Sequence, residues 1–309
     1  MVGFILAAGF GTRLKPLTDH IPKALVPVCG ITVLDRALSL FNANNIKKIG
    51  INAHHHADQL QHHQSISTIP YELFIESPNI RGTAGGLHNA QSLLNDDDVF
   101  CVYNADIVCI DFDLNRLRDK FIQSNALVGL VAVPNDNSGT IRYDQATNSY
   151  LGTKNETSIG GSADFIGCAF YRREYLAQIN TTDFSITAVW QRSLQHGISI
   201  TVLLAHNLRW YDSGSLSSYK KIHDDVLDGS ITLNTSPDQI VDTVNHIAYP
   251  SSINEFNLKT ISDYSWINVD HFPSTSTIAR SIVLKDSIVP ENAQIHNQIV
   301  TPFGAINLA

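Results

Sequence analysis

Two glycines, an arginine and a lysine near the start of the chain have the types and spacing needed to hold phosphate. They lie in Leu6-Ala7-Ala8-Gly9-Phe10-Gly11-Thr12-Arg13-Leu14 and, a few residues on, in Pro22-Lys23-Ala24-Leu25-Val26-Pro27-Val28. An apolar run that opens into glycines lets main-chain N–H groups approach phosphate oxygens closely. Arg13 and Lys23 add the cations that several phosphate charges require. A single Gly-x-Gly would read as an ordinary strand turn. No Gly-Lys-Ser/Thr follows, which excludes a Walker loop, and the third glycine of the dinucleotide fingerprint is missing.

A carboxylate further along the chain could hold a metal. Asp106, in Val102-Tyr103-Asn104-Ala105-Asp106-Ile107, stands at the carboxyl end of an apolar strand, where a parallel sheet binds its ligands. Mg2+ is commonly held by one or two carboxylates together with substrate phosphates. On position alone, a turn aspartate is an equal reading. Asp111 and Asp113 read as turn and N-cap residues before a helix. His54-His55-His56 and His62-His63 lack the ligand set of a closed zinc site and read as part of a strand-to-helix turn. Cys29, Cys101, Cys109 and Cys168 form no CxxC pair, and read as reduced, packed thiols of a cytoplasmic protein.

Short apolar runs alternate with helical patterns and must position these residues. Strands are expected at Val2–Ala8, Lys48–Ala53, Tyr71–Ile75, Val99–Asn104, Leu127–Val133, Phe165–Tyr171 and Ser199–Leu204. Helices are expected at Thr32–Phe41, Ala57–His63, Thr83–Leu94, Leu114–Gln123 and Ser185–Gln195. Such alternation predicts an α/β fold, a mainly parallel sheet with helices on both faces. From Ser281 a six-residue rhythm sets in (Ile282-Val283, Ile288-Val289, Ile295, Ile299-Val300, Ile306), the mark of a β-helix coil. Its shortness points to a cap or a contact between copies of the chain rather than a full solenoid. Three stretches are expected: a catalytic domain over 1–228, a connecting segment over 229–262, and a short β-helix-like extension over 263–309.

Ala8-Gly9-x-Gly11-Thr12-Arg13-Leu14 followed by Pro22-Lys23-x-Leu25-x-Pro27 resembles the signature of the sugar-1-phosphate nucleotidylyltransferases. Three further segments, in the family's order, are similar to its motifs: Arg81-Gly82-Thr83-Ala84-Gly85-Gly86-Leu87, the strand ending at Asp106, and Trp210-Tyr211-Asp212-Ser213-Gly214-Ser215 with Tyr219 downstream. The resemblance spans about residues 1–228. It implies a Rossmann-like fold of the nucleotide-diphospho-sugar transferase type, with a β-helical tail of the kind some members carry. It implies that Arg13 and Lys23 act on the phosphates. Ala8, Gly9, Gly11, Thr12, Gly82, Thr83, Ala84 and Asn104 would hold the nucleotide, and Asp106 and Asp212 would hold Mg2+. It implies an NTP and a sugar 1-phosphate as substrates. The uridylyl branch acting on muramate 1-phosphate and the guanylyl branch acting on mannose 1-phosphate are both similar, so UTP or GTP is expected.

On the sugar side the chain departs from the pattern. Where many members have Glu-Lys-Pro, it reads Leu151-Gly152-Thr153-Lys154-Asn155-Glu156. Lys154 is the nearest candidate for the sugar phosphate, with Gly167 as a small residue beside the sugar and Asp164 for its hydroxyls. A transferase for a non-sugar phosphate such as phosphocholine stays open, as does a silent regulatory subunit that binds nucleotide-sugars. The net charge of −8 argues against a nucleic-acid partner. No stretch is apolar enough for a membrane span, and the N-terminus lacks the basic start of a signal peptide.

Overall fold

The computed structural model describes residues 1–136, 138–253 and 258–308. Contacts group them into two compact units. One comprises Met1–Phe10 and Ala37–Trp210, the other Gly11–Arg36 and Tyr211–Ala309. This division does not follow the boundaries expected at 228 and 262, because the loop from Gly11 onward packs with the C-terminal part of the chain.

The larger unit is built on a nine-stranded sheet. Its parallel centre runs Val99–Asn104, Val2–Leu6, Lys48–Ala53, Glu72–Ile75. The first three are almost wholly apolar and buried, as strands covered on both faces must be, while Glu72–Ile75 at the edge is partly exposed. Elements after Val2–Leu6 first lay strands on one side of it, and Val99–Asn104 then returns to the other. That reversal makes a topological switch point, and the crevice at the carboxyl ends of these strands is where such sheets bind ligands. Residues 7–10 and Ala105–Asp106 emerge there. Ala105 N–H donates to Leu6 O at 3.0 Å and holds the two ends together.

The strand order also holds a feature that periodicity does not reveal. Gly161–Arg172 runs antiparallel to Val99–Asn104 and to Val128–Pro134. Ile200–Leu204 then pairs parallel with Val128–Pro134. An antiparallel strand buried on both faces has the same apolar composition as a parallel one, so its direction is invisible in sequence. The expected helix Thr83–Leu94 is two helices, Gly82–Asn89 and Gln91–Leu94, separated at Ala90. Asp113 caps Leu114–Gln123, accepting from Arg116 N–H at 2.9 Å, as its position suggested.

The second unit contains a parallel coil. Ile261, Ile278 and Ile295 stack in register, seventeen residues apart. Trp266, Ile282 and Ile299 stack on a second face. Each coil is thus close to three hexads, which is why the six-residue rhythm shows in the sequence. The interior holds Ile267, Phe272, Ile278 and Val283, each at most 1% exposed. The coil starts earlier than expected. Ile247–Pro250 already lies parallel to Ser265–Ile267, and Gln239–Asp242 pairs antiparallel beyond it. The stretch 229–262 is therefore strand-bearing rather than a linker; 254–257 of it lie outside the described residues. At the other end the hairpin Gln298–Thr301 and Gly304–Asn307 turns the sheet antiparallel. Antiparallel strands at both ends close a solenoid whose open ladder would otherwise invite pairing.

The sheet packs tightly on its flanks. A Cβ added at Gly3 would lie 2.5 Å from the buried Phe41 ring and 2.9 Å from Ile46. Gly3→Ala is expected to cost about 1–3 kcal/mol through overpacking, read as a lower urea midpoint at unchanged slope.

Candidate active site

In the larger unit, the turn after Val2–Leu6 is held by a side chain from the next strand. Asn52 Oδ1 accepts from Ala7 N–H at 2.7 Å and Ala8 N–H at 3.3 Å. Asn52 Nδ2 donates to Glu76 Oε1 at 2.8 Å, and Glu76 Oε2 accepts from Arg81 N–H at 2.6 Å. Both side chains are buried. This chain of bonds joins three strand ends to the start of helix Gly82–Asn89. Gly86 has no room for a side chain, since a Cβ would sit 2.9 Å from Asn52 Nδ2 and 3.0 Å from Glu76 Oε1. Sequence reasoning missed Asn52 and Glu76. The available signal was a polar residue interrupting or following an apolar strand at its carboxyl end.

The expected nucleotide residues separate by role. Ala8 and Ala84 are buried and their N–H groups are already used, Ala8 by Asn52 and Ala84 by Phe184 O at 3.0 Å. Both stand with those N–H groups engaged within the protein. Thr83 Oγ1 accepts from Ile186 N–H at 2.8 Å. Gly82 has φ +70°, a conformation that favours glycine. Gly9 differs: it is exposed, its φ is not positive, and a Cβ there meets nothing within 4 Å.

Asn104 and Gly167 face each other. Gly167 has φ +80°, and a Cβ on it would come 2.7 Å from Asn104 Nδ2, so its glycine is accounted for by Asn104. Asp164 ties a neighbouring loop, accepting from Asn135 Nδ2 at 2.6 Å and Thr140 N–H at 3.1 Å. Lys154 is exposed, its N–H bonded to Thr140 O. Asp106 is half-buried in the turn after its strand. Among the histidines, His54 Nδ1 bonds Glu76 O at 2.7 Å and His63 Nδ1 bonds Tyr71 Oη at 2.9 Å.

In the second unit three charged residues from separate segments converge. Gly11, at φ +63°, starts the turn Thr12–Leu14, its carbonyl accepting from Leu14 N–H and Thr18 Oγ1. Arg13 Nη2 donates to Asp212 Oδ2 at 3.0 Å, and Gly214 N–H donates to Asp212 Oδ1 at 2.8 Å. A Cβ on the buried Gly214 would collide with Lys23 Nζ, with Asp212 Oδ1 at 2.7 Å and with Arg13 Nη2 at 2.9 Å. Arg13, Lys23 and Asp212 are thus grouped around one glycine. The Arg13–Asp212 pair is 61% and 36% exposed. Such pairs contribute at most about 1 kcal/mol, so incoming phosphate or metal can exchange with it at low cost.

The helix Leu216–Leu227 holds the Lys23 segment in place. Tyr219 Oη donates to Pro27 O at 2.7 Å. Cys29 N–H donates to His223 Nε2 at 3.0 Å, so the His223 proton sits on Nδ1, which donates to Tyr219 O at 2.9 Å. His223 is 1% exposed and edge-on to Trp266. Burial pushes its pKa down to about 4. His223 was not foreseen, although its four-residue spacing from Tyr219 on an amphipathic helix puts both on one face.

Residues 2–147 match the family model described as nucleotidyl transferase. This segment belongs to the nucleotidyl transferase family. The family is one of enzymes, and the likeness to sugar-1-phosphate nucleotidylyltransferases read from the motifs holds among its relatives. A stretch of 115 residues is 33% identical to N-acetylmuramate alpha-1-phosphate uridylyltransferase of Caulobacter vibrioides, covering 36% of this chain and 47% of that protein. A stretch of 178 residues is 30% identical to mannose-1-phosphate guanylyltransferase catalytic subunit beta of Dictyostelium discoideum, covering 50% and 47%. The chain thus spans about half the length of these relatives. The fold is shared with HddC from Yersinia pseudotuberculosis, solved with GMP-PN, at TM-score 0.60 and 19% identity over 72% of this chain and 98% of that one. No helix among the described residues is long and apolar enough to cross a membrane.

The state of His223 makes stability depend on pH. Its folded pKa lies below the unfolded value of 6.5. The contribution is therefore complete above pH 6.5 and is lost as pH falls toward 4, where the unfolded chain alone takes up the proton. Urea unfolding is expected to show a loss of up to about 3 kcal/mol across that window, and His223→Gln should flatten it.

Proposed function

We propose that the chain transfers a nucleoside monophosphate from an NTP, UTP or GTP, to a sugar 1-phosphate, giving an NDP-sugar and pyrophosphate. The observation that carries this reading is the grouping of Arg13, Lys23 and Asp212 around Gly214. Two cations and a carboxylate, all partly open to solvent, suit a substrate rich in phosphate. Gly9 supports it as well: neither backbone strain nor a protein neighbour demands glycine there, whereas close approach of a phosphate does.

In this reading the phosphate oxygen of the sugar 1-phosphate attacks the α-phosphorus in line, and pyrophosphate leaves. The nucleophile is already ionised at neutral pH, so the protein has mainly to position the reactants and neutralise charge. Arg13 stabilises the leaving pyrophosphate, and Lys23 meets charge on the α-phosphate. Asp106 and Asp212 are the proposed Mg2+ carboxylates. Their hard oxygen donors, and the exchangeable pairing of Asp212 with Arg13, fit that ion. Mg2+ would supply further neutralisation of phosphate charge. Lys154, Asp164 and Gly167 remain the proposed sugar side, with Asp164 acting through the loop it ties. The cytoplasm, where NTPs are available, is the proposed compartment, and the coil the proposed surface for contact between copies.

The test is pyrophosphate release, with Mg2+, across a grid of NTPs and sugar 1-phosphates. Release with one pair establishes the reaction and names both substrates. A folded chain that binds nucleotide yet stays silent on the whole grid overturns it. With the active pair in hand, Arg13→Ala should lower kcat by about 10²–10³. Asp106→Asn should lower it by orders of magnitude with the fold intact, and near-normal turnover would remove Asp106 from the metal role.

A further inference from the structure

A loop of the larger unit presents an aromatic ring to solvent in a fixed pose. Phe184 is 59% exposed. Its carbonyl accepts from Ala84 N–H at 3.0 Å, and two residues on Ile186 N–H donates to Thr83 Oγ1 at 2.8 Å. Asp183 beside it is clasped by Arg192, Nη1 to Oδ1 at 2.8 Å and Nη2 to Oδ2 at 2.6 Å, and accepts from Asn180 N–H at 2.8 Å. The ring lies against Gly82, where a Cβ would come within 2.8 Å of two ring carbons. A bidentate ion pair, one main-chain bond and one bond from main chain to a threonine hydroxyl therefore hold the segment that carries a largely exposed phenyl group. Fold stability does not call for that arrangement, because an exposed phenyl group contributes little burial.

We infer that Phe184 is a stacking platform for the nucleobase, an inference that rests on the nucleotidyl transfer proposed above and on Gly82–Ala84 as its nucleoside side. Chemistry selects the base over the sugar or phosphate. The polar groups that hold the segment carrying the ring are already used: Ala84 N–H on Phe184, Thr83 Oγ1 on Ile186, and Asp183 on Arg192. What the loop offers a ligand is a flat apolar face. Bases stack on such faces with little regard to identity, so Phe184 adds affinity for the nucleotide and leaves discrimination between bases to other groups.

The experiment pairs calorimetric titration of GTP and UTP with steady-state pyrophosphate release, for the unaltered chain, Phe184→Ala and Phe184→Tyr. Phe184→Ala is expected to weaken NTP binding and raise the KM for NTP by about five- to a hundred-fold. The KM for the sugar phosphate should stay unchanged, and Phe184→Tyr should restore both values. Nucleotide affinity equal to that of the unaltered chain in Phe184→Ala overturns the stacking inference whatever the turnover. An unaltered chain that binds nucleotide but releases no pyrophosphate overturns the transferase reading instead, and one that binds no nucleotide overturns both.

Discussion

The carboxamide of Asn52 is the constraint on which the larger unit's crevice depends. Its oxygen collects two N–H groups from the turn after the first strand, and its nitrogen reaches the buried Glu76. Glu76 in turn holds the N–H of Arg81, just before the glycine-rich helix. Turns at a sheet's carboxyl edge carry main-chain donors that must find partners when water is excluded. Buried polar chains of this kind are rigid when every member is satisfied and costly when one is missing. Ala8, Gly82 and Thr83 owe their places to this linkage, and Gly86 must be glycine because the linkage runs beside it.

The second unit solves a related problem with charge. Arg13 and Lys23 lie close in sequence and Asp212 stands about two hundred residues further on, and only the small volume of Gly214 lets them share a space. Behind them, Tyr219 and His223 hold the strand that follows Lys23. A neutral histidine with one nitrogen donating and the other accepting can bridge two main-chain groups inside a core at no charge cost. Exposed, exchangeable ionic contacts stand at the proposed phosphate site, while buried neutral bonds fix the elements that carry them.

Much of this was readable beforehand. Strands at Lys48–Ala53 and Val99–Asn104 and the helix Leu114–Gln123 stand where their periodicity put them. The glycine turns, Arg13 and Lys23 could be singled out because phosphate chemistry restricts residue types tightly, and Asp212 through the family resemblance; the structure groups Arg13, Lys23 and Asp212 around Gly214. The hexad rhythm was legible because the chain passes to the next face of the coil about every six residues and returns to the same face after about seventeen, although the coil begins at Ile247 rather than Ser281. Its early turns are Ser- and Asn-rich and lack the aliphatic regularity of the later ones.

What the sequence determined by itself was local: which runs are apolar, where glycine breaks them, and which side chains are suited to phosphate or metal. Tertiary structure alone decided direction and partnership. The antiparallel course of Gly161–Arg172, the pairing of Gly167 with Asn104, the use of the Ala84 amide by Phe184 and the place of Asn52 and His223 all depend on contacts distant in sequence. A residue's type states which bonds it can make; only the fold states which of them are already made.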